Sequence, residues 1–216
     1  MNAETAELTS SLKSLRLGRW DGVSPSSLSL ALSPPVTQCV ETGLEAQLRA
    51  QRRRIVGQLS LLVTTKSAYR HSVVRPFIEA IAKRTVIDGD LHERIYTAIQ
   101  EALMNAVLHG NLQIETGARE SLEGLTKVHA SIERLLARPE IALGMIRVDA
   151  LWSAKMLYVI IRDSGHGYRK DKLPSSAERE AAGKLSSGRG LSILESICDR
   201  VTLIHGGSAI KLGFRL

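Results

Sequence analysis

The sequence predicts an α+β fold, a two-layer α/β sandwich in which helices cover one face of a mixed sheet. Three observations indicate this class. The run MLYVII (residues 156–161) is apolar throughout, as expected for a central strand that is buried on both faces. Apolar residues recur at three- and four-residue spacing over residues 91–110, which is the period of an amphipathic helix. Strand-like and helix-like segments alternate irregularly along the chain, which points to a layered sheet.

The first part of the predicted domain contains one strand and two helices. GQLSLLVTT (57–65) has the composition of a strand, and residues 68–84 carry apolar side chains at helical spacing. The next helix, residues 91–110, is the clearest in the chain. Asp88 or Asp90 could cap its start, and Gly110 stands where a C-terminal glycine stop belongs. Its apolar stripe must pack on the sheet.

The second part continues with a helix, a hairpin and a closing helix. Residues 118–138 predict an amphipathic helix that ends before Pro139. Strands over 144–152 and 155–163, joined by a short turn, predict a hairpin. Residues 188–200 predict a helix opened by glycine, followed by two short strands around the turn HGGS. The polar segment near 168–187 is expected to be a mobile lid.

The N-terminal quarter has a different composition. DGVSPSSLSLALSPPVTQ (21–38) is rich in Ser and Pro and follows no sustained helical or strand period. Residues 1–54 are therefore expected to form a flexible extension, and the folded domain is expected to span 55–216. The basic run that closes the extension is expected to be a solvated boundary.

Charge and cysteine content limit the class of protein. The formal net charge of +7 would suit an acidic partner, a polyphosphate ligand or nucleic acid, and does not choose between them. Cys39 and Cys198 form no CxxC pattern, which argues against a disulfide framework or a zinc site and fits a reducing cytosol. The acidic N-terminus does not resemble a signal peptide, and the longest apolar run is far short of about 20 residues. A soluble, cytoplasmic protein with no membrane partner is expected.

Three polar side chains recur at intervals of four along the helix at 91–110. Glu101, Asn105 and His109 would form one row beside the apolar stripe. A carboxylate and a carboxamide one turn apart suit a divalent metal held through oxygen atoms, with the carboxylate free to accept a proton. The alternative is a solvated helix face with chance spacing.

Two glycine-containing motifs follow. Asp163 ends an apolar strand, and Gly165 and Gly167 after it would allow a sharp turn and a close approach of the backbone to a ligand. An ionised aspartate at the floor of an apolar pocket would accept a hydrogen bond from an amino group on a planar ring, although a simple strand-end turn is the alternative. Gly188 and Gly190 precede a helix, where free N–H groups suit an anion such as phosphate.

The order of these motifs carries a resemblance. EALMNAVLHGN, DSGHG and GRGLSI occur in succession within about 90 residues. The chain resembles the GHKL (histidine kinase-like) ATPase superfamily, whose Bergerat fold binds ATP through an N box, a G1 box and a G2 box. Within that superfamily it is most similar to bacterial anti-sigma-factor serine/threonine protein kinases. The resemblance covers roughly residues 57–216.

The resemblance implies a role for each matching residue. Glu101 would be the catalytic base and Asn105 the magnesium ligand. Asp163 would accept a hydrogen bond from adenine. The remaining implied nucleotide-binding residues are His109, Gly165, Gly167, Gly188, Arg189, Gly190, Leu191 and Ser208, with Ser208 standing where relatives often carry threonine. The segment near 168–187 would be the ATP lid, and the helical stretch near 115–140 would be an insertion.

The resemblance also implies an activity and partners. Such a kinase would use ATP and Mg²⁺ to phosphorylate a serine of an antagonist protein, and would bind a sigma factor in a partner-switching system. Alternatives are the ATP domain of a histidine-kinase-like signalling protein, with His71 in HSVVRP as a weak phosphoacceptor candidate, and a non-catalytic ATP-dependent binding module. Nucleic-acid binding is not favoured. The helical insertion could serve a partner or a homodimer, or pack on the domain's own flank.

Overall fold

A seven-stranded mixed sheet forms the centre of the protein. The computed structural model describes residues 16–50, 58–114, 122–165 and 189–216. The strands are β1 (Leu17–Trp20), β2 (Gln38–Glu41), β3 (Leu59–Thr64), β4 (Met145–Trp152), β5 (Met156–Asp163), β6 (Arg200–Ile204) and β7 (Ala209–Arg215). Their order across the sheet is β1-β2-β3-β4-β5-β7-β6. The first three strands are parallel to one another, and every pairing from β3 onward is antiparallel. The predicted fold class and the β4–β5 hairpin are confirmed.

Helices pack against this sheet, most of them on the face that carries the main core. They are α1 (Pro25–Ala31), α2 (Glu45–Ala50), α3 (Thr65–Arg70), α4 (Val74–Ala82), α5 (Gly89–Asn105), α6 (Leu122–Leu136), α7 (Pro139–Ala142) and α8 (Arg189–Ile197). Leu61, Val148, Ile161 and Ile210 lie opposite one another on successive strands and form an apolar row beneath the helices. A small second cluster of Val40, Leu44 and Leu62 forms separately from this main core.

Helix α5 is the central helix of the main layer. Asp88 caps its start and accepts the Leu91 N–H at 2.7 Å, so one of the two predicted caps is realised. Its apolar stripe, including Ile95, Ile99 and Leu103, is fully buried. The α-helix then widens into a π-helical turn, Ala106–Asn111. Gly110 is therefore not the predicted helix stop: it lies inside this turn, where the backbone contacts another part of the site.

Two other helical predictions are refined. The single helix expected over 68–84 is two helices, α3 and α4, with His71 in the break between them. The expected insertion contains α6, whose Val128, Ile132 and Leu136 are buried against the main core. An ion pair of 2.6 Å joins Arg70 to Glu133 on α6. The apolar stripe of α6 therefore covers the domain's own flank.

The flexible extension expected over residues 1–54 is wrong for residues 16–50. Strands β1 and β2 extend the sheet parallel to β3, and helix α1 lies between them in sequence. Trp20, Leu28 and Leu32 are buried in the main core. The expectation failed because each element is only four to seven residues long, too short to show a period. Their stability comes from pairing and packing against the rest of the domain.

Trp20 anchors this N-terminal part, and replacing it tests whether residues 16–50 belong to the folded domain. Its side chain is 1% exposed, and its indole N–H donates to the Ser24 carbonyl at 3.0 Å. Trp20→Ala is expected to lower the free energy of unfolding by about 3–5 kcal/mol, because a large cavity is left in the core. Urea denaturation measures this change, with the exposed Val23→Ala as the control. A flexible N-terminal segment would instead leave both variants as stable as the wild type.

No helix in the described parts of the chain is both long and apolar enough to cross a membrane.

Candidate functional site

One end of the site is formed by α5 and the start of α8. Asn105 Nδ2 donates a hydrogen bond to Glu101 Oε1 at 3.2 Å, which joins the two side chains one turn apart. Gly190, in the first turn of α8, lies directly against them. A Cβ atom added at Gly190 would overlap Glu101 Oε1 and lie 3.1 Å from Asn105 Nδ2. Only glycine lets the α8 backbone approach this pair so closely.

Helix α8 is held in this position from its other end. Arg94 on α5 donates to the Ile197 carbonyl through Nε at 3.1 Å and through Nη2 at 2.9 Å. The Arg94 guanidinium also lies 3.5 Å from Asp199. Leu194 in the middle of α8 is 1% exposed and packs in the main core. Because α8 is fixed at its centre and its C-terminus, the position of its N-terminus relative to Glu101 is set by packing.

The other end of the site is formed by Asp163 and the π-helical turn. Asp163 is the last residue of β5, and its N–H donates to the Ser208 carbonyl at 3.1 Å. Its Oδ1 accepts the Gly165 N–H at 2.9 Å, which closes a tight turn. A Cβ atom on Gly110 would lie 2.5 Å from Asp163 Cγ, and one on Gly165 would overlap the Gly110 carbonyl oxygen. The two glycines therefore let the π turn and the Asp163 turn touch through their backbones.

The environment of Asp163 alters its acidity. Burial of the half-buried carboxyl raises its pKa from 3.8 to about 6, and the hydrogen bond from the Gly165 N–H partly offsets this rise. The carboxyl is therefore mainly ionised at neutral pH but poorly solvated. A donor group on a ligand would stabilise the ionised form.

The two ends are linked by a single helical segment. Glu101 and Gly110 are nine residues apart on α5 and its π-helical continuation. At about 1.5 Å per residue, the segment spans roughly 13 Å. One end offers a carboxylate, a carboxamide and a helix N-terminus, and the other offers a single buried carboxylate. This spacing suits an elongated ligand with an anionic end and a ring that carries hydrogen-bond donors.

The remaining predicted residues fall in several places. His109 Nδ1 donates to the Ile114 carbonyl at 2.8 Å, so that nitrogen closes the loop after the π turn. The Ser208 carbonyl is next to Asp163, as described above, and Leu191 lies half-buried in the first turn of α8. Arg189 begins α8. Gly167, Gly188 and the lid near 168–187 lie outside the described residues. The nucleotide-binding roles of these residues stay predictions.

Sequence reasoning missed two residues that build the site. Arg94 fixes the end of α8, and Asn111 connects the π turn to Ser164, the residue that follows Asp163. Nothing local marks Arg94, because an arginine on an amphipathic helix is ordinary. Asn111 did carry a signal: it is the last residue of the motif EALMNAVLHGN, at the point where the polypeptide leaves the helix.

The fold and the site together define a class. A mixed sheet under helices, with a carboxylate and carboxamide pair facing a helix start and an aspartate at the far end, is the architecture of a nucleotide-binding domain. The chain matches the family model of the histidine kinase-like ATPase domain over residues 64–214, and it belongs to that family. The resemblance to the GHKL superfamily is thus confirmed, and ATP binding follows from it. A search of curated proteins found no match to the chain.

The close approach at Gly190 gives a testable prediction. Gly190→Ala is expected to push the Glu101 carboxylate out of its place, because the added methyl overlaps Oε1, while the fold is retained through the mobility of the glutamate side chain. ATP turnover or transfer should fall by at least about tenfold, with little change in melting temperature. Gly89→Ala, where a Cβ meets nothing within 4 Å, is the matched control. Full activity in Gly190→Ala would contradict this role for the glycine.

Proposed function

We propose that this protein is an ATP- and Mg²⁺-dependent serine protein kinase that acts in the cytoplasm as an anti-sigma-type regulator. It would phosphorylate a serine of an antagonist protein in a partner-switching system and bind a sigma factor. The observation that carries the proposal is the hydrogen-bonded pair of Glu101 and Asn105 beneath the start of α8. A carboxylate at the phosphate end of an ATP site is suited to accept a proton from a hydroxyl nucleophile.

Asn105 orients the proposed base. Its amide N–H donates to Glu101 Oε1, which fixes the direction of the carboxylate and leaves Oε2 to accept the proton of a partner's serine hydroxyl. The N–H groups in the first turn of α8 lie beside this pair and would donate to phosphate oxygens.

The residues present also fit a magnesium ion. Because Asn105 uses its nitrogen toward Glu101, its carboxamide oxygen is the atom that would hold the metal. Gly190 keeps the space in front of this pair free of a side chain. Mg²⁺ commonly takes only one or two protein oxygens and completes its shell with substrate phosphates and water. When bound, it would neutralise charge that develops on the transferred phosphoryl group.

Asp163 would select the base of the nucleotide. Its Oδ1 is engaged by the Gly165 N–H, so Oδ2 would be the acceptor for the amino group of adenine. Guanine has a carbonyl where adenine has this amino group. Because a carbonyl oxygen and a poorly solvated carboxylate repel each other, guanine would bind less well. Gly110 and Gly165 let the π turn pack closely against the Asp163 turn, which helps to hold the carboxyl in place.

One alternative loses support from the position of His71. A histidine phosphoacceptor would be expected on a long dimerising helix, whereas His71 lies in the short break between α3 and α4. Its ring packs edge-on against Trp20 with the centroids 5.8 Å apart. The non-catalytic module stays the second candidate and shares the same ATP site, so only an assay of transfer separates the two.

The test uses the full chain, γ-labelled ATP and candidate antagonist proteins that contain serine. Transfer of label to a serine of one antagonist, identified by mass spectrometry and absent when Mg²⁺ is removed, is expected. Binding of ATP without transfer to any candidate would favour the non-catalytic module. Failure to bind ATP would overturn both candidates.

A further inference from the structure

The side chain of Asn111 lies where three segments of the site meet. Its Oδ1 accepts two hydrogen bonds from Ser164, one from the backbone N–H at 3.0 Å and one from the hydroxyl at 3.2 Å. Its Nδ2 donates to Thr65 Oγ1 at 2.8 Å and to the Met145 carbonyl at 3.1 Å. Both donors of the amide and both acceptor positions of its oxygen are used, so the carboxamide is held in one orientation.

The partners of Asn111 are themselves fixed. Thr65, the first residue of α3, is fully buried and donates through its hydroxyl to the Gly144 carbonyl at 2.8 Å. Met145 is the first residue of β4, and its N–H donates to Ser164 Oγ at 3.1 Å. Asn111 therefore ties the end of the π turn to the ends of three strands, β3, β4 and β5.

This arrangement restricts the residue next to it. Asp163 is held on one side by the bond from its N–H to the Ser208 carbonyl, and on the other by the bonds of Ser164 to Asn111. Gly110, which immediately precedes Asn111, lies against the Asp163 carboxyl group. The π turn thus contacts the Asp163 carboxyl through Gly110 and binds the N–H of Ser164 through Asn111. These contacts fix the direction in which Asp163 Oδ2 points.

We propose that Asn111 is a positioning residue for adenine recognition: its carboxamide holds the turn after β5 so that Asp163 Oδ2 faces the ligand before the ligand binds. The inference rests on the proposed role of Asp163 as the adenine acceptor. A prepositioned acceptor raises affinity because the ordering of the turn has already occurred in the free protein.

The chemistry of the site requires an amide at this position. Aspartate could accept the two bonds from Ser164, but it has no donor for Thr65 Oγ1 or the Met145 carbonyl. It would also place a second negative charge near Asp163. Alanine would remove all four bonds and let water reach the turn.

The experiment compares the wild type with Asn111→Ala and Asn111→Asp, using ATP as the calorimetric probe. Both variants are expected to bind ATP at least about tenfold more weakly than the wild type. Gln58→Ala is the matched control, because its side-chain carbonyl accepts the Trp152 N–H at the opposite end of β4, far from Asp163. It should lose stability without losing affinity for ATP.

A second readout does not need the nucleotide. The titration of the Asp163 carboxyl in the free protein is followed by carbon-detected NMR. In Asn111→Ala its midpoint should fall from about 6 toward the ordinary 3.8, because the opened turn is better solvated. In Asn111→Asp it should rise, because the added charge disfavours ionisation. An unchanged midpoint and unchanged affinity in both variants would overturn the inference.

The experiment also distinguishes two other results: a wild type that does not bind ATP, and an Asn111→Ala variant that does not fold. If the wild type binds no ATP, the proposed function fails and the adenine role of Asn111 fails with it, whereas the NMR midpoints still report whether Asn111 holds Asp163. If Asn111→Ala does not fold, Ser164→Ala removes only the hydroxyl contacts to Asn111 and Met145. About threefold weaker ATP binding is then expected, and wild-type affinity in this variant would overturn the inference.

Discussion

Replacing Asp163 with asparagine is expected to weaken ATP binding by about a hundredfold, because a charge-assisted hydrogen bond to adenine is lost and a clash of donors replaces it. The Gly165 N–H donates to Oδ1, so the carbonyl oxygen of the new amide would occupy that place. Its NH₂ group would then point where the amino group of adenine must lie. Isothermal titration calorimetry with ATP and Mg²⁺ measures the loss.

The matched control for this variant is Asp90→Asn. Asp90 lies exposed in the first turn of α5, and its replacement removes the same charge far from the turn after β5. ATP affinity in Asp90→Asn should equal that of the wild type. Equal affinity in Asp163→Asn as well would disprove the assignment of the adenine end.

The same substitution should make the nucleotide-free protein more stable above about pH 6. The folded-state pKa of Asp163 is raised above its ordinary value by burial, so the protonated carboxyl stabilises the fold. That contribution is fully present below pH 3.8 and is lost as the pH rises to about 6. Asp163→Asn does not lose stability in this way, because the asparagine side chain does not ionise. The difference in free energy of unfolding between the variant and the wild type should therefore grow across this window and then level off, as measured by urea denaturation.

Glu101→Gln is expected to lower phosphoryl transfer by about a thousandfold while ATP affinity changes little, because general-base catalysis requires a group that can take up a proton. The glutamine has nearly the same shape, and its carbonyl oxygen can still accept the hydrogen bond from Asn105. The rate of label transfer to the antagonist measures the effect, and calorimetry measures the binding of ATP to the same samples.

Glu93→Gln provides the comparison for Glu101→Gln. Glu93 lies on the same helix with its side chain 71% exposed, so the variant tests the effect of removing a carboxylate from α5 outside the site. Normal transfer is expected there. Normal transfer in Glu101→Gln would refute the role of the base and leave another group to accept the proton.

The residues at the two ends of the candidate site could be picked out from the sequence because each end depends on a short local pattern. The interval of four between Glu101 and Asn105 puts them one turn apart on any α-helix, and Asp88 marks where that helix begins. The glycines of the DSGHG and GRGLSI motifs indicate positions where the backbone must lie close to another group. The motifs do not show which group this is: Gly190 lies against Glu101, and Gly165 lies against Gly110, and both partners are far away in the sequence.

The N-terminal strands show the opposite case. LGRW and QCVE are four residues each, and neither is apolar or alternating enough to predict a strand. They are strands because β3 offers a parallel partner and because Trp20, Leu28 and Cys39 complete a core whose other side is built by α4 and α5. Pairing of this kind is a property of the assembled sheet rather than of the segment.

The sequence by itself determined the class of fold, the central helix, the hairpin and the order of the three nucleotide-binding motifs. These features depend on periodicity and on residue types within one segment, which the chain carries locally. Only the tertiary structure decided that residues 16–50 join the sheet, that α5 opens into a π turn, and that Asn111 and Arg94 set the two ends of the site. Each of these depends on contacts between residues far apart in sequence, where the free energy of packing and hydrogen bonding overrides local preference.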